Sequence, residues 1–83
     1  MLNYTLISSN FQRLRRQKAA QENRDLPLRV IADESKLALG TVHKISTGEI
    51  SGVRLSSIDA LCAYFGVGSI SELIEYKPQQ NSN

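Results

Sequence analysis

Pro27-Leu28-Arg29-Val30-Ile31-Ala32-Asp33-Glu34-Ser35-Lys36-Leu37-Ala38-Leu39-Gly40-Thr41-Val42-His43-Lys44-Ile45-Ser46-Thr47-Gly48 is the stretch that decides the fold. Proline at its head suits the first turn of a helix, where the backbone N–H has no intrahelical partner. Leu28, Ile31 and Ala32 then follow at the spacing of one helical face, which predicts a helix over 27–35 with Asp25 as its cap. Lys36-Leu37-Ala38 links it to a second helix over 39–47, in which Val42 and Ile45 face inward. Gly48 stands where a helix ends in left-handed backbone. Two helices joined by so short a link must cross steeply. Ala32 is small where their backbones approach, and Leu37 points from the turn into the core. At about 100° per residue, Gly40, His43, Lys44 and Thr47 share the outer face of the second helix.

Three further helices are expected around this pair. Ser9-Asn10-Phe11-Gln12 fits a capping box opening a helix over 9–22, with Phe11 and Leu14 on one face and Arg13, Arg15, Arg16 and Lys18 around the rest. Those four cations cannot all point one way, and a solvated surface with local ion pairs accounts for at least two of them. Ser56-Ser57-Ile58-Asp59 caps a helix over 56–65, whose stripe is Ile58, Leu61, Cys62 and Phe65. Ser69-Ile70-Ser71-Glu72 is a third capping box, opening a short helix over 70–76 with Leu73 and Ile74 inside. The domain thus spans 9–76, preceded by an arm at 1–8 and followed by a frayed polar tail at 77–83. Residues 2–7 alternate apolar and polar, as a strand or an arm would, and no strand partner is evident elsewhere in the sequence.

Composition sets the outer bounds. The 83 residues suffice for one domain, and their 41% hydrophobic and 22% charged content is ordinary for a soluble globular chain. No apolar run nears the roughly 20 residues of a membrane span, and the N-terminus lacks the order of a signal peptide. The single cysteine, Cys62, has no partner within the chain for a disulfide and sits in an apolar stripe, which favours packing over chemistry and a reducing cytoplasm. The net charge of +2 is unevenly placed. Residues 1–54 carry nine Lys/Arg against five Asp/Glu, a balance of +4, whereas residues 55–83 carry one against three, a balance of −2. Such a division suits one face turned to a polyanion, or no more than a solvated surface. No paired histidine and acid, phosphate loop or metal-spaced cluster supports catalysis, so no enzyme activity, cofactor, metal or small-molecule ligand is expected.

The sequence resembles the lambda-repressor–Cro (Xre-type) helix-turn-helix family across about residues 10–76. The family's framework is met by Ile31-Ala32, Lys36-Leu37, Thr41-Val42, Ile45 and Gly48, and its fourth helix by Ile58 to Val67. Glu72-Leu73-Ile74-Glu75-Tyr76 followed by Pro78 is similar to the closing helix of compact single-domain members. The resemblance implies an all-α, five-helix DNA-binding domain acting as a transcriptional repressor in a prokaryotic or phage-type, nucleoid-associated setting. Four positions depart from the family's pattern. Lys36 replaces the turn glycine, Ala38 the small hydroxyl cap, Leu28 the phosphate-anchoring Gln, and Ser46 an acidic residue.

By position in the motif, Leu39, Gly40, His43 and Lys44 are the candidates for base edges. Lys44 can donate to guanine, and Leu39 can meet a thymine methyl or pack in the core. His43, the only histidine, lacks the companions a metal site needs and either contacts DNA or is simply solvated. Arg29, Lys36, Thr41, Thr47, Ser51 and Arg54 are the candidates for phosphates. A homodimer on double-stranded DNA is expected, joined through Ile70, Leu73, Ile74 and Tyr76 or through the arm, although Leu73 and Ile74 suit a core equally well. The competing expectation is a helix-turn-helix that serves protein interaction, as an antitoxin-like or adaptor subunit, without DNA readout of its own.

Overall fold

Four of the five segments in which apolar residues recur at helical spacing are helices in a computed structural model that describes residues 7–76. They are α1 (Phe11–Glu22), α2 (Leu28–Ser35), α3 (Leu39–Thr47) and α4 (Leu55–Phe65). Strand β1 (Ile7–Ser9) precedes them. A single 3-10 turn (Ile70–Glu72) and strand β2 (Ile74–Tyr76) follow. The core draws on every segment. Phe11, Ile31, Val42, Ile45, Leu61 and Leu73 are fully enclosed, and Phe11 meets Phe65 edge to face at 5.3 Å.

All four helices end in the same way. Asn23, Lys36, Gly48 and Gly66 adopt left-handed backbone, and in each case this residue and the next donate N–H groups back into the last turn. At α2, Lys36 donates to Asp33 at 3.3 Å and Leu37 to Ala32 at 2.9 Å, which turns the chain sharply and brings Leu37 against the core. The helix-turn-helix crossing follows from that reversal, with Ala32 buried beneath it.

The helix starts differ from the sequence reading. No cap residue makes a side-chain hydrogen bond at any of the four. Asp25 does not cap α2, whose cap is Pro27 in extended backbone. Helix α4 opens one residue earlier than expected, with Arg54 rather than a serine as cap. Ser9 belongs to β1, so α1 starts at Phe11 rather than at 9. Its hydroxyl accepts from the Phe11 N–H at 3.2 Å and donates to the Ile45 carbonyl at 2.8 Å.

The expected fifth helix over 70–76 is absent, and the domain is mainly helical rather than all-α. Ile70, Leu73 and Ile74 have helical spacing, but seven residues are too few to sustain a helix unless packing demands one. The chain instead makes one turn, buries Leu73 and Ile74 side by side, and pairs β2 antiparallel with β1. The register is Ile7 with Tyr76, Ser8 with Glu75 and Ser9 with Ile74. An Asn10 N–H to Leu73 carbonyl bond of 2.7 Å continues the pairing. The partner missing from the sequence reading is therefore the C-terminal segment, for residue 7 at least. Residues 2–6 of the alternating stretch and the tail at 77–83 lie outside the described residues.

The small sheet seats the second helix of the motif. A Cβ on Gly48, whose φ is +85°, would lie 3.0 Å from the Ile7 carbonyl oxygen. Together with the Ser9–Ile45 bond, this close approach ties β1 to the C-terminal end of α3.

Candidate nucleic-acid interface

Burial of Val42 and Ile45 against α1 and α2 turns the opposite side of α3 outward. Leu39 is 51% exposed, and Gly40, His43 and Lys44 are exposed with it, so all four base-edge candidates share one open face. Leu39 is thus a surface residue and not a core one.

Two notches divide that face. One, of about 570 Å³, lies between the N-terminal ends of α2 and α3 and is lined by Pro27, Leu28, Arg29, Leu39, Gly40 and His43. The other, of about 300 Å³, lies between α3 and the start of α4 and is lined by Thr41, Lys44, Gly52, Val53, Arg54 and Ser57. The structure therefore separates Lys44 from the other base-edge candidates and groups it with Arg54 and two hydroxyls. Arg54 precedes the first turn of α4, where unpaired backbone N–H groups favour an anion.

The remaining phosphate candidates are more scattered. Lys36 and Arg29 line a third hollow, of about 640 Å³, on the outer side of α2, with Asp33 between them in sequence. The Thr47 hydroxyl donates to the Lys44 carbonyl at 3.1 Å, so its proton is already engaged. Ser51 is exposed in the turn before α4 and lines none of these hollows. Ser57 is an additional candidate beside Lys44 and Arg54, and its sequence context marks only a helix cap. Its place beside Lys44 and Arg54 depends on how α4 packs, which no local spacing reveals.

Helix α1 contributes less cationic surface than its composition suggests. The Arg15 Nε donates to the Leu26 carbonyl at 2.7 Å, holding the link between α1 and α2. Lys18 pairs with Glu22 at 2.9 Å and lies 4.6 Å from the centre of the Tyr64 ring. Arg24 grips Glu34 with two nitrogens at 2.7 and 2.8 Å, and the Tyr64 hydroxyl donates to the same carboxylate at 2.6 Å. The Arg24 guanidinium and then the Tyr64 hydroxyl hold the Glu34 carboxyl at about 2, well below its ordinary value. Burial, and then the Glu34 carboxylate it bonds, push the Tyr64 phenol up. This clamp ties the α1–α2 link, α2 and α4 together. Burial also raises the Cys62 thiol, in keeping with a packing role.

Of the four proposed dimer residues, Leu73 and Ile74 are enclosed within the protomer, because β2 turns them inward. Ile70 and Tyr76 remain 46% and 63% exposed. No helix among the described residues is long and apolar enough to cross a membrane.

A comparison with protein-family models matches residues 12–79 to the Cro/C1-type HTH DNA-binding domain. Neither the curated proteins nor the solved structures contain a match to the chain. The matched segment covers most of the 83 residues and contains the packed α2–α3 pair, the open face of α3 and Arg54 at the start of α4. The chain belongs to the Cro/C1-type helix-turn-helix DNA-binding domains.

Proposed function

We propose that this protein is a sequence-specific transcriptional regulator, a repressor, that inserts α3 into the major groove of duplex DNA. The observation that carries the reading is the open face of α3, where Leu39, Gly40, His43 and Lys44 stand clear, flanked by Arg29 on α2 and Arg54 on α4. Groove-facing side chains on one helix supply base contacts, and cations on either side supply phosphate contacts. Lys44 reads a guanine edge, while Arg29, Lys36, Arg54 and the hydroxyls of Thr41, Ser51 and Ser57 hold the backbone. Repression needs no further surface, since occupancy of a site blocks its use by polymerase. Work of this kind belongs in a cytoplasm that holds the DNA.

A single helix spans few base pairs, which favours a homodimer on a two-fold site with half-sites about 34–36 Å apart. Exposed Ile70 and Tyr76 are the side chains available for its contact.

Selection of bound sites from random duplex DNA, followed by polarisation titrations at rising salt, tests the proposal. A palindromic site whose affinity falls steeply with salt is expected. Lys44→Ala is expected to relax base preference at one position, and Arg54→Ala to weaken all sequences alike. Absence of binding at low salt, or binding indifferent to salt, overturns the reading and favours a module for protein interaction.

A further inference from the structure

The notch between the N-terminal ends of α2 and α3 differs in its lining from the one beside it. Apolar residues Pro27, Leu28 and Leu39 line it together with Gly40. The Leu28 side chain has no donor for an anion, and Leu39 is half exposed on the face that meets the groove. A Cβ built on Gly40 would touch nothing within 4 Å, so the glycine leaves space there that the fold itself does not require. Arg29 and His43 stand on the rim, and the second notch with Lys44 and Arg54 lies alongside on the same helix. A hollow of mainly apolar lining with Arg29 beside it suits a ligand that is itself an apolar projection on a polyanion.

In the major groove of ordinary duplex DNA, one base carries such a group: thymine, through its 5-methyl. We infer that this notch is a methyl-reading socket, and that each half-site carries a thymine whose 5-methyl packs against Leu28 and Leu39 over Gly40. The inference rests on the DNA-binding reading above and sharpens it, because it assigns specificity at one base pair to a pair of leucines rather than to a hydrogen-bonding side chain. It also divides the labour of α3. The apolar socket reads thymine, and the polar notch around Lys44 reads guanine or grips phosphate. Burial of a methyl is indifferent to ionic strength, unlike the contacts of the cations around it.

The test replaces each thymine of a selected duplex, one at a time, with deoxyuridine, which lacks only the methyl. Affinity is measured for the native chain and for Leu39→Ala and Gly40→Val, with circular dichroism to verify that both variants fold. Neither side chain takes part in the core, so folding is expected to persist. For the native chain, one thymine per half-site should lose about fourfold on conversion to uracil, the factor set by removing one buried methyl-sized group. That ratio should hold from low to moderate salt while overall affinity falls. In Leu39→Ala the thymine and uracil duplexes should bind alike, and Gly40→Val, which fills the socket, should bind both weakly at that position. A native chain that binds its selected duplex yet tolerates uracil everywhere overturns the socket and leaves DNA binding standing. Full thymine preference retained in both variants overturns it as well. Failure of every duplex to bind overturns the DNA reading together with the socket.

Discussion

Two left-handed residues in the motif, Lys36 and Gly48, look alike in backbone angle and differ in what surrounds them. Lys36 has φ 63° and is exposed, so the cost of its conformation is that of an L side chain in left-handed backbone alone. Lys36→Gly is expected to stabilise the domain by about 0.5–1 kcal/mol, the relief of strain exceeding the added freedom of the unfolded chain. It removes one cation beside the motif at the same time. Gly48 is buried with φ +85°, and a methyl there would meet the Ile7 carbonyl at 3.0 Å. Gly48→Ala adds that clash to the backbone strain, and the strand must shift if the helix end is to stay. A loss of more than about 1 kcal/mol is expected, read as a lowered urea midpoint. Equal effects of the two substitutions would contradict the role given to β1.

At the scale of elements, the helices are well ended and poorly begun. Every C-terminus closes with two backbone hydrogen bonds, while no N-cap side chain bonds its helix. Ala38, exposed with extended backbone angles of −67° and 144°, already has the geometry that a capping serine adopts at the start of α3. Ala38→Ser is expected to add about 1 kcal/mol, seen as a rise of several degrees in Tm.

The clamp of Arg24, Glu34 and Tyr64 joins elements too, and it predicts a pH dependence. The Glu34 pKa falls from 4.5 to about 2 on folding, so its contribution is fully present above about 4.5. It is lost as pH drops through about 2. Glu34→Gln should therefore flatten the acid limb of stability against pH between those values. The groups are exposed and screened by solvent, so added salt should narrow the difference between the two chains.

Across the whole molecule, the basic residues divide by what engages them. The cations of α2, α3 and the start of α4 stand open, whereas Arg15, Lys18 and Arg24 are engaged internally. Binding should therefore depend on salt through Arg29, Lys36, Lys44 and Arg54 rather than through all ten basic residues. A slope of log affinity against log salt of about −3 to −4 per protomer is expected from four such contacts. A slope near twice that would mean that the α1 cations also reach phosphate, and that this division is wrong.

What the sequence determined by itself was local. The α2–α3 pair was legible because its signals lie within 22 consecutive residues: inward Ile31, Val42 and Ile45, a small Ala32, and a helix-ending Gly48. The exposure of His43 and Lys44 followed from the same helical period. Tertiary structure decided whatever joins distant residues. Strands of three residues have no period to detect, and the pairing of Ile7 with Tyr76 spans nearly the whole described chain, so a sheet was hidden where a helix was expected. Burial of Leu73 and Ile74 followed from that pairing and removed them from the surface. Whether an arginine stands open or bonds a carbonyl or a carboxylate was also a tertiary outcome, as Arg15 and Arg24 show. Backbone preference and period act over a few residues and are written in order along the chain. Pairing, enclosure and the choice of a charged partner depend on which segments meet, and that is settled only when the core closes.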